Sequence, residues 1–147
     1  MRASKRPIER APASKPVGYD NPAAATLMSH ARPLWLSDYS VVFWLEKAMQ
    51  EAPSVLDIGG YVGISYSFHE YLHHPEELQW IIYDVPALTE AGIEIARREH
   101  GPGLSFTAEL NSNIQVHTVL ALGALQFSEQ SLPELLSRLA RLPSHLI

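Results

Sequence analysis

Short apolar runs alternate with amphipathic segments along this sequence, and the alternation constrains the fold more than any other feature. The runs that predict strands are SVLDI, LQWIIYD, LSFTAEL and VHTVLALGALQF, the last of which runs into a turn at Gly123, with SHLI as the start of a fifth. Helical patterns occupy the segments from Ser37 to Pro53, Ile64 to His74, Val85 to Gly101 and Ser131 to Leu142. Repeated strand–helix alternation predicts an α/β fold, a doubly wound, Rossmann-like parallel sheet with helices on both faces.

The first and last helical segments carry the clearest signals. The first has Ser37 or Asp38 as its N-cap and Pro53 as its stop, and its apolar face consists of Val41, Trp44, Leu45, Ala48 and Met49. The last begins with a capping box of Ser131 and Glu134, and its apolar face consists of Leu132, Leu135, Leu136 and Leu139.

Composition narrows the class of protein. At 147 residues with 46% hydrophobic content, the chain can bury the core of one ordinary domain. Cysteine is absent, which excludes disulfides, a thiolate nucleophile and Cys-based metal sites, and is typical of a cytoplasmic protein. No apolar run reaches the roughly 18 residues that span a bilayer, so we expect no membrane partner.

The chain divides by composition into three parts. Residues 1–17 are basic and rich in proline, and predict a flexible tail. Residues 18–52 form an N-terminal helical segment, and residues 53–147 form the domain with the strand–helix alternation. Because the net charge of -5 leaves no basic face outside the tail, we expect no nucleic-acid partner.

The turn after the first strand is the candidate ligand site, because ligands of doubly wound sheets bind at the carboxyl ends of the strands. It contains Asp57, Gly59, Gly60 and Gly63. A dinucleotide site of the form G-x-G-x-x-G would need glycine where Tyr61 and Ile64 stand, so that cofactor is disfavoured. A plain strand-to-helix connection without a ligand is the simpler alternative.

An acid followed by a glycine turn suits a nucleoside whose tail carries an ammonium and a carboxylate, as in S-adenosylmethionine. Such a ligand needs a second acid at the end of the next strand, where its carboxylate can accept hydrogen bonds from the ribose hydroxyl groups. Asp84 closes LQWIIYD, 21 residues after Gly63, and occupies that position.

VLDIGGYVG resembles the first motif of class I S-adenosylmethionine-dependent methyltransferases, and YDVP resembles their ribose-binding strand end. VHTVLALGALQF is similar to their fourth strand, with His117 where an aspartate often stands. GYDNP and LSDY upstream are similar to a poorly characterised bacterial family of these enzymes, and the likeness covers most of residues 18–147.

The resemblance implies a methyltransferase that uses S-adenosylmethionine, with a small-molecule or saccharide acceptor. It implies contacts to the methionine part from Asp57, Gly59, Gly60 and Gly63, and to the ribose from Asp84. Tyr61 replaces the middle glycine of D-x-G-x-G-x-G and either lines or obstructs the pocket. No general base is identified, and Tyr61, Tyr66 and Gln126 are the candidates near the pocket mouth.

The resembled family has seven strands, so this sequence predicts a domain truncated at its C-terminus. The last strand would then form an apolar sheet edge, which favours homo-oligomers. The expectation is weak donor binding with little or no turnover. A non-catalytic nucleotide-binding or partner-binding domain is therefore the alternative function.

HEYLH, from His69 to His73, matches the zinc-hydrolase pattern H-E-x-x-H. On an α-helix the two histidines would share one face, but zinc needs a third protein ligand. The extended motif would place glycine and histidine at positions 76 and 79, where Glu76 and Gln79 stand. Glu90 or Glu94 could supply a distant carboxylate, but no pattern marks either one. We therefore expect no metal site, and no stoichiometric zinc in the purified protein.

Overall fold

The centre of the molecule is a parallel sheet, seen in a computed structural model that describes residues 33–73, 75–99 and 103–147. Its five strands are β1 (Ser54–Ile58), β2 (Gln79–Tyr83), β3 (Leu104–Thr107), β4 (Thr118–Leu120) and β5 (His145–Leu146). They lie in the order β3-β2-β1-β4-β5, and every neighbouring pair is parallel. This order is that of a Rossmann-type sheet, so the predicted fold class is confirmed.

Helices of two kinds connect the strands. The α-helices are α1 (Asp38–Met49), α2 (Pro86–Glu99) and α3 (Leu132–Leu136). The 3₁₀ helices are Ile64–Tyr71, Pro75–Glu77 and Leu125–Phe127. None of the helices among the described residues is long and apolar enough to cross a membrane. The predicted tail, residues 1–17, lies outside the described part of the chain.

Both faces of the sheet are buried, which explains why the central strands are almost continuously apolar. One face packs against α1 and the first 3₁₀ helix; its buried residues include Leu45, Val55, Phe68, Trp80, Ile82 and Leu120. The other packs against α3 and the segment before β4; its buried residues include Leu56, Ile58, Leu110, Val119, Leu135, Leu136 and Leu139. The prediction of helices on both faces is confirmed.

Two helices differ in detail from the sequence prediction. Trp44, assigned to the buried face of α1, is 59% exposed, whereas Leu45 and Ala48 are buried. The helix α3 is shorter than the segment predicted from Ser131 to Leu142. At its start, Glu134 accepts a hydrogen bond from the backbone N–H of Ser131 at 2.7 Å, as the capping-box motif predicted. The helix ends at Leu136, and backbone turns rather than α-helix continue toward Leu139.

The segment predicted as a helix to His74 is a 3₁₀ helix that ends at Tyr71. Leu72 is extended, and His73 is held by Glu46, whose carboxylate accepts the His73 backbone N–H at 3.0 Å and contacts Nδ1 at 2.8 Å. His69 instead stacks on Tyr66, with ring centroids 4.3 Å apart. The premise that His69 and His73 lie one α-helical turn apart on one face is therefore wrong.

The predicted strand VHTVLALGALQF is also shorter than expected. It pairs with β1 over Thr118–Leu120. The predicted turn at Gly123 is present, with a φ of +71°. Beyond β4, β5 forms one edge of the described sheet, with Leu146 56% exposed. Self-association through this edge stays a prediction.

Gly92 sets how closely α2 approaches β3. A Cβ at this buried position would overlap the ring of Phe106. Glycine in a helix interior costs about 1 kcal/mol relative to alanine, so its presence here trades helix propensity for a close contact with the sheet.

We predict that Gly92→Ala lowers the free energy of unfolding by up to about 2 kcal/mol, because an overpacking cost of about 1–3 kcal/mol outweighs the gain of about 1 kcal/mol in helix propensity. Urea unfolding of the purified variant measures this. In a Phe106→Leu background the same substitution should cost less, since the ring that the methyl group meets is gone. An increase in stability from Gly92→Ala in the otherwise unchanged protein would contradict the packing argument.

Candidate functional site

A cavity of about 580 Å³ opens at the carboxyl ends of β1, β2 and β4. It lies beside β1, where the sheet order reverses between the connections to β2 and to β4. This is the position at which doubly wound sheets bind ligands. Its walls include Gly59 and Tyr61 after β1, Asp84 and Val85 after β2, and Leu122, Gly123, Ala124 and Phe127 after β4.

Gly59 brings the turn after β1 against the turn after β4. Its φ is +69°, and a Cβ at this position would overlap the side chain of Ala124. Its N–H donates to the carbonyl of Tyr83 at 2.8 Å, which extends the β1–β2 ladder into the turn. Glycine is therefore required both by backbone conformation and by the close approach.

Tyr61 adopts the left-handed conformation that the glycine motif normally assigns to glycine, with a φ of +59°. This costs a non-glycine residue about 1–2 kcal/mol. Its backbone N–H donates to Oδ2 of Asp84 at 2.8 Å. The contact offsets part of that strain and fixes the turn after β1 to the end of β2.

The carboxylate of Asp84 is held from two sides at the cavity. Oδ2 accepts the N–H of Tyr61, and Oδ1 accepts the N–H of Val85 at 2.8 Å. An ionised carboxylate has about four acceptor positions, two on each oxygen. The arrangement presents a fixed pair of acceptors to a ligand with neighbouring hydroxyl groups.

Asp57 lies beneath the turn and is 1% exposed. Its Oδ2 accepts hydrogen bonds from the hydroxyl of Ser65 and from Nε1 of Trp80, the latter at 3.4 Å. A Cβ on Gly60 would lie 2.5 Å from the same oxygen, so the missing side chain makes room for the carboxyl group. Burial raises the pKa of Asp57 to about 6, against the opposing effect of these two hydrogen bonds.

The six predicted cofactor-binding residues thus fall into two groups. Gly59, Tyr61 and Asp84 line the cavity. Asp57, near the end of β1, and Gly60 and Gly63, in the turn, are not among the residues that line the cavity. Of the other candidates, Tyr66 is a core residue, Gln126 does not line the cavity, and His117 lies at the opposite end of β4.

Sequence reasoning placed Gln126, in the segment after β4, near the pocket mouth but did not identify Phe127 and Gln130. Phe127 and Gln130 line the cavity, and Phe127 is 52% exposed. The available signal was the turn at Gly123, since a turn at the carboxyl end of a strand next to β1 has to face the same cavity.

No protein-family model matches the sequence, and no curated protein matches it significantly. Among solved structures, it is similar to an O-methyltransferase family protein from Burkholderia thailandensis, at 16% identity over 67% of this chain with a TM-score of 0.43. It is also similar to an O-methyltransferase from neocarzinostatin biosynthesis, at 16% identity over 71% of this chain with a TM-score of 0.49.

An amino pentose methyltransferase from Micromonospora echinaspora is a third similar structure, at 17% identity over 79% of this chain with a TM-score of 0.46. The chain spans 30%, 33% and 48% of the lengths of these three proteins, respectively. Likeness at this level gives no ground for transferring an activity. The fold class rests on the order and direction of the strands in the chain itself.

Proposed function

We propose that this chain is the donor-binding part of an S-adenosylmethionine-dependent methyltransferase. The observation that carries the proposal is the carboxylate of Asp84, held at the cavity by the N–H groups of Tyr61 and Val85. Paired ribose hydroxyls suit this carboxylate, as in other doubly wound nucleotide sites. The resemblance of VLDIGGYVG and YDVP to methyltransferase motifs supports the same ligand.

The backbone of the glycine turn favours a nucleoside over a nucleoside diphosphate. A pyrophosphate needs several N–H groups directed at it from the turn and the helix that follows. Here the N–H of Gly59 donates to Tyr83, that of Tyr61 to Asp84 and that of Gly63 to the carbonyl of Gly60. Because these N–H groups already donate to oxygens of the protein, binding of a pyrophosphate at the turn is unfavourable.

The side chains around the cavity suit a cationic ligand with an apolar portion. Asp84 and Glu129 contribute acidic groups, whereas Leu122 and Phe127 contribute apolar surface. The proposed cofactor supplies a methyl group activated by a sulfonium. The protein's part in an in-line transfer is to hold the donor and orient the acceptor, which can lower the barrier substantially without a catalytic acid or base.

A small-molecule or saccharide acceptor is part of the same proposal. Leu122 and Phe127 are 40% and 52% exposed at the side of the cavity formed after β4. Such surface can pack against the flat face of an aromatic ring or a sugar ring. Binding of the donor without methyl transfer to any acceptor would instead favour the non-catalytic alternative.

We predict that S-adenosylhomocysteine binds the purified chain and that Asp84→Asn weakens its binding by about 10–100-fold. The variant removes the charge that strengthens hydrogen bonds to the ribose, an effect worth about 1.5–3 kcal/mol. Isothermal titration calorimetry measures the dissociation constants. Glu90→Gln, at an exposed position on α2, is a control with the same change in charge.

Thermal unfolding of each variant separates loss of binding from loss of fold, because Asp84 also holds the turn. The same titration with NAD should give no heat. Binding of NAD without binding of S-adenosylhomocysteine would refute the proposal, as would equal affinities for Asp84→Asn and the unmodified protein.

We further propose that Asp57 supports the glycine turn from below rather than touching the ligand. The unfolded carboxyl titrates near 3.8 and the folded one near 6, so the folded state binds more protons between these pH values. The free energy of unfolding should therefore fall as the pH rises through this interval. The loss should approach about 3 kcal/mol above it.

Asp57→Asn removes this titration, and we predict that its stability relative to the unmodified protein increases from pH 4 to pH 7. Urea unfolding at several pH values measures the difference, in which titrations of other groups largely cancel. A difference that is constant with pH would show that Asp57 does not titrate as its burial implies.

A further inference from the structure

Three polar side chains converge at the amino ends of β1, β4 and β5, the edge of the sheet opposite the cavity. Oε2 of Glu51 lies 3.0 Å from Nε2 of His117 and 3.2 Å from Nε2 of His145. One ligand atom from each residue lies within 4.8 Å of the others. Within the described residues, this is the one grouping of three His, Asp or Glu side chains with such geometry.

Hydrogen bonds of the backbone fix the positions of the strand ends that carry these residues. The N–H of His117 donates to Oγ of Ser54 at 2.9 Å, which connects it to the start of β1, three residues after Glu51. The carbonyl of His117 accepts the N–H groups of Ser144 and His145 at 2.8 and 3.1 Å. The two histidines are thus fixed to adjacent strands rather than carried on free loops.

An ion pair alone explains this cluster incompletely. Nε2 of His117 and Oε2 of Glu51 form a hydrogen-bonded pair. Nε2 of His145 is buried, however, and forms no hydrogen bond of acceptable geometry despite its closeness to Glu51. A bound cation would account for this nitrogen, because a cation requires several electron-rich atoms directed at one point.

We propose that Glu51, His117 and His145 bind a divalent transition-metal ion such as Zn²⁺. Two imidazole nitrogens and one carboxylate are a known ligand set for zinc, with water in the fourth position. Bonds of about 2.0–2.1 Å in a tetrahedron separate the ligand atoms by roughly 3.3 Å. The distances of 3.0 and 3.2 Å from Glu51 to the two nitrogens are close to that value.

Such an ion would join three parts of the fold, since Glu51 follows α1, His117 precedes β4 and His145 begins β5. The side chain of Glu51 is 58% exposed and those of the histidines 26% and 33%, so the cluster lies near the protein surface rather than in the core. The site lies a full strand length from the cavity, and it does not depend on the proposed methyltransferase function.

The test is a titration of metal-free protein without an affinity tag, using Zn²⁺ in calorimetry and Co²⁺ in absorption spectroscopy. We expect one ion per chain, visible d–d bands typical of tetrahedral Co²⁺ and a rise in the melting temperature. Glu51→Gln, His117→Gln and His145→Gln should each weaken binding by more than about 100-fold, beyond the usual cost of losing a supporting residue. Mg²⁺, which prefers oxygen ligands, should give no heat.

His73→Gln is the matched control, because His73 forms a comparable pair with Glu46 at 2.8 Å but belongs to the HEYLH segment. It should bind Zn²⁺ as the unmodified protein does. Circular dichroism establishes whether each variant is folded. Glu51→Gln should fold, because the side chain of Glu51 is exposed. Failure of the unmodified protein to bind Zn²⁺ would overturn the proposal, and so would equal weakening by His73→Gln and Glu51→Gln.

Discussion

The parallel pairing of β1 with both β2 and β4 is the constraint on which the rest of the molecule depends. Its register places Ile58 opposite Tyr83 and Asp57 opposite Leu120, so the turns that follow these strands meet at one edge. The same register gathers Ser54 and the residues before β4 and β5 at the other edge. Both candidate sites therefore result from one pairing pattern, since parallel strands bring like ends together.

Asp57 is a buried acid beneath the turn that borders the cavity. Placing a carboxyl group beneath the turn has a free-energy cost, because desolvation disfavours its ionised form. Hydrogen bonds from Ser65 and Trp80 offset part of that cost, and Gly60 leaves the necessary space. Asp57 thus connects β1 to the first 3₁₀ helix and to β2, whereas Asp84 holds the turn itself through the N–H of Tyr61, whose φ is +59°.

The fold was largely predictable, and the interior of the candidate site was less so. Apolar runs located all five strands, because strands buried on both faces need consecutive apolar side chains. The same reasoning predicted an α-helix through His74, where a 3₁₀ helix ends at Tyr71 instead. Helical spacing cannot anticipate a distant partner such as Glu46, which holds His73 outside the helix.

The sequence by itself determined the order of elements, the glycine turn and the acid at the end of β2, because each is encoded in adjacent residues. Tertiary structure alone decided that Asp57 is buried while Asp84 faces the cavity. It also decided that Glu51, His117 and His145 meet. These three are separated by tens of residues, and the parallel crossovers, rather than any local pattern, determine which strand ends become neighbours.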